Sequence, residues 1–315
     1  MNTAPSVPSP RIPPPATAAP ACSTRPGRGG DGDRVQLTRF EFKYVVSESA
    51  ARSMRQFVRC HLRPDEFSAG RPEYAYAVHT LYLDSPRLSL YQATNTGEKN
   101  RFKLRVRFYD DGPGAPAFFE IKRRRNDGIE KHRACVRREA VRPLLRGEWP
   151  ALRHLRRPDV RQLGALQEFH LLMQRLPATP RSHVAYQREA WMSPVDNSMR
   201  VTFDRQVQCE PQFEPDIAAR IGEAVTAFPN QVILELKFTG RLPHWCLDLV
   251  RVFNLVRRSA AKYAEGVALM GEDRISNCGV ALRVPDADVG LRVPDRVPGP
   301  EYDPGFGPGT ITVGF

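Results

Sequence analysis

Residues 101–109 read Arg101-Phe102-Lys103-Leu104-Arg105-Val106-Arg107-Phe108-Tyr109, and their strict alternation decides the fold class. Successive side chains of an extended strand point to opposite faces. Phe102, Leu104, Val106 and Phe108 therefore share one face, while Arg101, Lys103, Arg105 and Arg107 share the other. The same residues on a helix would scatter their cations around its circumference. Comparable alternation predicts strands over 37–46, 74–83, 117–124, 129–138, 183–191, 199–208 and 231–238. With 101–109 these make eight strands, enough for an antiparallel β-barrel whose interior takes a small ligand. The expected fold is α+β, an eight-stranded antiparallel barrel with flanking helices.

Helical signals fill the intervals. Ser47 is placed to cap a helix whose Ala50, Met54, Phe57 and Val58 follow a 3.6-residue period. Pro143 to Leu176 reads as a helical insertion with Leu163, Leu166, Phe169, Met173 and Leu176 on one face. A last amphipathic helix starts near Pro243 and carries Trp245, Leu249, Val252, Phe253 and Val256, a stripe expected to pack on the sheet.

Both ends differ from this middle. Residues 1–34 are rich in Pro, Ala, Ser and Gly and are expected to be a disordered leader. Gly27-Arg28-Gly29-Gly30 follows no strand and opens no helix, so it does not read as a phosphate loop, and no GxxxxGK[ST] occurs anywhere. Residues 275–315 lose periodicity and repeat LRVPD at Leu282–Asp286 and Leu291–Asp295. Two copies do not build a solenoid, so a flexible tail is expected. The folded domain is placed at 35–274.

The chain of 315 residues carries 47 Lys and Arg against 35 Asp and Glu, a formal net charge of +12. That balance points to an anionic partner. No apolar run approaches the roughly 20 residues that a membrane-spanning helix needs, and prolines interrupt any signal-peptide pattern. A cytoplasmic location is expected. The six cysteines stand singly at 22, 60, 135, 209, 246 and 278, which argues against both a zinc site and a disulfide framework. The histidines 61, 79, 132, 154, 170, 183 and 244 show no HxxxH or HExxH spacing. No histidine metal site follows from them, and His132 is expected outside the barrel, opposite Lys131.

The polar faces of the strands hold the chemistry. Arg39, Glu41 and Lys43 fall on one face, as do Glu120 and Lys122, Tyr186 and Arg188, Arg200, Thr202 and Asp204, and Glu235 and Lys237. One charged face alone is what an antiparallel sheet shows to water. Three Glu-x-Lys strands beside an Arg-x-Arg strand are harder to explain that way. Facing cations repel unless glutamates or a polyanion neutralise them. Arginine forks bind phosphate oxygens, and carboxylates hold divalent ions that bridge them, so the pattern suits phosphoryl chemistry.

RFEFKY at 39–44, KLRVRFY at 103–109, FFEIKRR at 118–124, YQR at 186–188, MRVTFD at 199–204, LELKF at 234–238 and AKYAEG at 261–266 together resemble the VTC domain. The motifs occur in that family's order and cover nearly all of 35–270. The resemblance implies a triphosphate tunnel fold and, as in catalytic members, polyphosphate synthesis from ATP with Mn²⁺ or Mg²⁺. It implies that Lys43, Arg105, Arg107, Lys122, Arg188, Arg200 and Lys262 line the tunnel as catalytic cations. Arg39, Lys103, Lys131, Tyr186 and Lys237 would bind phosphate. Glu235 would hold the metal, with Glu41 and Glu120 as further ligands. For Glu41 and Glu120 the alternative is an interior ion pair with Lys43 or Lys122.

Two departures from the family stand out. Tunnel triphosphatases open with ExExK, and here Arg39 replaces the first Glu. The family's Ser-Lys-Tyr becomes Ala261-Lys262-Tyr263, which removes a hydroxyl, while Arg257 and Arg258 stand where an upstream Lys is usual. The competing readings are a triphosphatase of the same fold and a non-catalytic polyphosphate-binding module. Nucleic acid is not the expected partner, because glutamates share the basic face and the aromatics fall on the opposite one.

Overall fold

The computed structural model describes residues 39–126, 128–196 and 198–276, with the side chain of Arg39 outside that set. These residues belong to the first of two units, Met1–Val280, and the second, Ala281–Phe315, lies outside them. The leader 1–34, its glycine run and the repeats after Leu282 also lie outside the described residues.

In chain order come β1 (Arg39–Ser47), α1 (Glu48–Arg59), β2 (Arg63–Pro64), β3 (Ala75–Asp84) and α2 (Ser89–Asn95). Then follow β4 (Asn100–Phe108), β5 (Ala117–Arg125), β6 (Gly128–Val136), α3 (Val141–Leu145) and α4 (Val160–Arg175). The remainder is β7 (Thr179–Met192), β8 (Met199–Pro211), β9 (Val225–Ala227), β10 (Gln231–Thr239), α5 (His244–Val252), α6 (Lys262–Met270) and α7 (Glu272–Ile275). Each strand expected from alternation is present, and β2 and β9 are additional. Ser47 caps α1 by accepting from the Ala50 N–H at 3.2 Å.

The strands form one antiparallel sheet of order β1-β10-β8-β7-β3-β4-β5-β6, with β2 beside β7 and β9 beside β8. Here the barrel expectation is corrected: the sheet is not closed. Other segments take the edge groups that a closing ladder would need. Arg258 N–H donates to the Lys43 carbonyl at 3.1 Å and Tyr44 bridges to Arg257, covering β1. Val136 of β6 bridges to Leu155.

Two apolar layers cover the outer face. Met54 and Val58 of α1 with Leu249 of α5 pack on Tyr44, Phe203, Leu234 and Leu236. Leu166, Phe169 and Met173 of α4 with Leu144 of α3 pack on Leu104, Val106, Phe119 and Ile121. Burying each such side chain stabilises the fold by about 1.5–3 kcal/mol. The helical insertion expected over 143–176 consists of α3 and α4, separated where Gly147, Pro150 and Pro158 interrupt the helix and Asp159 starts α4 as its cap. The last stripe is also shorter than expected: Val252 and Val256 are 69% and 68% exposed, since α5 ends at Val252. A third cluster lies on the opposite, inner face. There Tyr263, Ala264 and Val267 of α6 and Tyr91 of α2 pack against Tyr82, Tyr186, Val207 and Ile233. Among the described residues no helix is long and apolar enough to cross a membrane.

Candidate functional site

Directly opposed residues of an antiparallel pair share a face, so the register defines the inner surface. Lys43 faces Glu235 and Glu41 faces Lys237 between β1 and β10. Glu235 faces Thr202, and Lys237 faces Arg200. Asp204 faces Arg188, Arg188 faces Tyr76, and Val78 faces Tyr186. Arg105 faces Glu120 and Lys103 faces Lys122. The three Glu-x-Lys strands and the Arg-x-Arg strand therefore do meet on one surface.

That surface encloses a cavity of about 730 Å³ lined by Glu41, Lys43, Lys103, Arg105, Arg107, Lys122, Tyr186, Arg188, Glu235, Lys237 and Lys262. Arg101, Arg124, Arg257 and Arg258 also line it. Sequence reasoning had noted Arg257 and Arg258 only as stand-ins for a missing lysine. Alternation placed Arg101 with its neighbours but assigned it no role.

Three sequence-predicted residues sit elsewhere. Arg200 does not line the cavity; its Nη2 is drawn to Asp65 Oδ2 at 2.6 Å. Lys131 turns its ammonium to Glu120 Oε1 at 2.6 Å. Glu120, 0% exposed, is enclosed by cations: Arg105 at 2.8 Å, Lys131, Arg133 at 3.3 Å and Arg107 at 3.8 Å. It does not fit a metal role, and its partners differ from the Lys122 pairing considered as the alternative. For Arg39 only the backbone is described, in register with Thr239.

The electrostatics divide the cavity into two parts. In the first, each cation has a carboxylate. Glu235 Oε2 lies 2.7 Å from Lys237, and its Oε1 lies 3.4 Å from Lys43 and 3.6 Å from Lys262. Burial opposes its charge, yet Lys237, Lys43, Lys262 and Arg188 hold the carboxyl well below the usual range. Arg188 forks onto Asp204 with two bonds of 2.7 Å, and Lys262 reaches Asp204 Oδ2 at 2.6 Å. Asp204 shared its face with Arg200 in the sequence but carried no signal for this role.

The second part is short of anions. Lys103 has no carboxylate partner among the described residues; burial and repulsion from Lys43, Lys122, Arg105 and Arg101 push its ammonium well below the ordinary lysine range. Burial, opposed by Glu41 and aided by Lys43 and Lys237, lowers Lys122 to about 8. Arg107 Nη2 donates to Tyr186 Oη at 3.4 Å, while its buried Nε meets no hydrogen-bond partner. An excess of cations over carboxylates on this surface suits an acceptor-rich anion.

No group of three His, Cys, Asp or Glu among the described residues forms a metal cage. The donor set that remains is Glu235 with Glu41, both lining the cavity. Carboxylate oxygens are hard donors of the kind that Mg²⁺ or Mn²⁺ would take.

A histidine pair on the outer face had no sequence signal. His79 Nδ1 and His183 Nε2 are 3.0 Å apart, and His183 Nδ1 is 3.0 Å from Glu210. His132 does lie outside, against Glu168 of α4. Cys60, Cys209 and Cys246 are free thiols.

The VTC domain family matches residues 38–271. No curated protein matches the chain. Among solved structures, the PH1819 protein of Pyrococcus horikoshii OT3 aligns at 12% identity and a TM-score of 0.40, covering 74% of this chain and 99% of that one. A Bacillus halodurans protein provisionally described as an adenylate cyclase aligns at 12% identity and a TM-score of 0.41, covering 71% and 94%.

Proposed function

The chain belongs to the VTC domain family, and from that premise we propose that it is a polyphosphate polymerase acting in the cytoplasm, transferring the γ-phosphoryl group of ATP to the end of a polyphosphate chain. The observation that carries this reading is the anion-poor part of the cavity, where Lys103, Lys122, Arg105 and Arg107 converge with too few carboxylates to balance them.

The chain's residues act by holding and aligning. Arg105, Arg107, Lys103 and Lys122 bind phosphate oxygens, the two arginines through their forks. Lys43 and Lys262, already beside Glu235, approach the same phosphates from β1 and the start of α6. A terminal oxygen of the acceptor chain forms the new P–O bond, and the bond from the γ-phosphorus to the bridging oxygen breaks as ADP leaves. Phosphoryl transfer asks mainly for in-line placement and charge stabilisation, which a preorganised cationic surface supplies. Glu235 with Glu41 would hold a divalent cation, which offsets phosphate charge and orients the bridging oxygens. The tunnel of the family would here be the curled sheet itself, its seam held by side chains.

A binding-only module is the second reading, favoured by Ala261, which leaves the start of α6 without a side-chain cap or hydroxyl. Purified protein incubated with ATP and Mn²⁺ or Mg²⁺, beside a Glu235→Gln control, separates the cases. Long polyphosphate plus ADP, lost in the control, supports the polymerase. Free phosphate without polymer moves the assignment to a triphosphatase. Tight polyphosphate binding without turnover leaves the binding module.

A further inference from the structure

The outer face of the sheet carries a second cavity, of about 830 Å³, that phosphate binding leaves unused. A β-bulge shapes its floor. Between β7 and β8, Ala185 pairs with Gln208 and Gln187 with Arg205, so Gln206 and Val207 stand opposite Tyr186 alone. In a regular strand Arg205 and Gln208, three residues apart, would point to opposite faces. The extra residue brings both to the outer face, where they line the cavity together with Gln187 and Gln206. Arg52 and Arg55 of α1, Glu73 ahead of β3, and Phe228, Asn230 and Gln231 between β9 and β10 complete its walls.

Four of these residues, Glu73, Gln206, Phe228 and Asn230, have left-handed backbone, with φ of 53, 51, 58 and 56°. Only nine non-glycine residues of the described chain do, so nearly half of them gather round this one cavity. Such conformations persist where the surrounding structure fixes them, and they cluster at ligand sites. The charges on the wall are already matched. Arg55 bonds to Glu189 through Nε and Nη2 at 2.8 and 2.9 Å, and to Glu73 through Nη1 at 2.7 Å. Arg205 bonds to Glu48 at 3.0 Å and to Glu189 at 2.8 Å, while Arg52 lies 3.4 Å from Glu48. Three arginines thus stand against three glutamates, unlike the inner cavity with its surplus of cations. What remains unmatched is neutral: the amides of Gln187, Gln206, Gln208, Asn230 and Gln231 make no side-chain hydrogen bond among the described residues.

We infer that this outer cavity binds a neutral saccharide. Each amide presents a donor and an acceptor side by side, which matches two adjacent sugar hydroxyls, each able to donate and accept. A polyanion finds no surplus cation here. An apolar ligand finds only Ala75 and Phe228 in an otherwise polar lining. An extended peptide needs a free strand edge, and along this floor β7 and β8 are paired on both sides. Phe228, half-buried, supplies the one aromatic ring, a surface on which the C–H face of a pyranose packs. The inference does not rest on the phosphate-binding reading, because the two cavities lie on opposite faces of the sheet.

The test presents the full chain to an array of neutral oligosaccharides of glucose, galactose, mannose and N-acetylglucosamine, beside their sulfated and phosphorylated counterparts. Wild type is expected to retain neutral members, and the one retained best is then titrated by calorimetry. A Gln206→Gly, Asn230→Gly double variant removes two amides while giving both left-handed positions the residue that tolerates them best, so it is expected to melt no lower than wild type. Its affinity for that saccharide should fall about tenfold or more. Gln208→Ala, at a position without left-handed backbone, should weaken the same binding on its own. Retention of no neutral member overturns the inference, as does retention of the sulfated and phosphorylated members alone. Neutral binding that both variants leave at wild-type strength also overturns it, because the saccharide would then sit elsewhere.

Discussion

Glu41 of β1 and Lys122 of β5 meet at 3.0 Å across the seam where the sheet stays open. Their strands are not neighbours, so this ion pair joins regions that no backbone ladder connects. Glu41 also lies 3.3 Å from Lys43, and burial, outweighed by Lys122 and Lys43, leaves its carboxyl below the usual range. Glu41→Gln is expected to cost about 2 kcal/mol or more in urea denaturation, since it leaves a half-buried ammonium unpaired. Combining it with Lys122→Met should recover part of that loss, which a double-mutant cycle measures as coupling.

Arg107 is a buried cavity cation whose Nε has no hydrogen-bond partner. Arg107→Ala should weaken tripolyphosphate binding about tenfold or more by calorimetry. Arg153→Ala, on a side chain 68% exposed, should leave it unchanged. Equal losses from the two would remove the cavity as the binding site.

Gly266 lets α6 lie directly on β8. A Cβ there would stand 2.6 Å from Cys209 Sγ and 2.8 Å from Cys209 Cβ. Gly266→Ala is expected to destabilise by about 1–3 kcal/mol, and adding Cys209→Gly, which removes both crowded atoms, should relieve more of it than Cys209→Ala, which removes only Sγ. Because Lys262 opens the same helix, phosphate affinity should fall and recover in parallel with stability.

Ala261 holds the N-cap position of α6 without capping it. Ala261→Ser is expected to raise stability by about 0.5–1 kcal/mol in thermal unfolding and to tighten phosphate binding. A neutral or destabilising result would mean that the first turn of α6 has no need of a hydroxyl.

His79 and His183 set an acid limit. Burial, then repulsion from His183, lowers His79 from 6.5 to about 4, while Asp111 opposes weakly. The unfolded chain thus takes up a proton near 6.5 that the native one refuses until about 4. The contribution is whole above 6.5 and is lost as the pH falls towards 4. Its size is on the order of 2 kcal/mol. Melting temperatures between neutral pH and that limit should fall less steeply for His79→Gln than for wild type.

Alternation made the strands legible, and residues 101–107 show why. A period of two is local, and an isolated strand already separates Phe102 and Leu104 from Lys103 and Arg105. Ser47 and Asp159 were readable or nearly so, because a cap acts within three residues. The break between α3 and α4 is local too, written in Gly147, Pro150 and Pro158.

The candidate site was legible as a face rather than as an arrangement. Glu41, Glu120 and Glu235 look alike in sequence, each two residues before a lysine. Only the packing separates Glu235 and Glu41, which line the cavity, from Glu120, which is buried among Arg105, Arg107, Lys131 and Arg133. Arg200 alternates correctly and still leaves the cavity for Asp65, a partner 135 residues away.

The sequence by itself determined which residues are strands, which side of each is charged, and that the family is VTC, because periodicity and motif order are properties of neighbouring residues. The tertiary structure alone decided that the sheet stays open and that Lys103 meets no carboxylate among the described residues. Those outcomes depend on which distant side chains are brought within about 3–6 Å of one another, where Coulombic, hydrogen-bond and packing terms become large, and no local pattern encodes such distances.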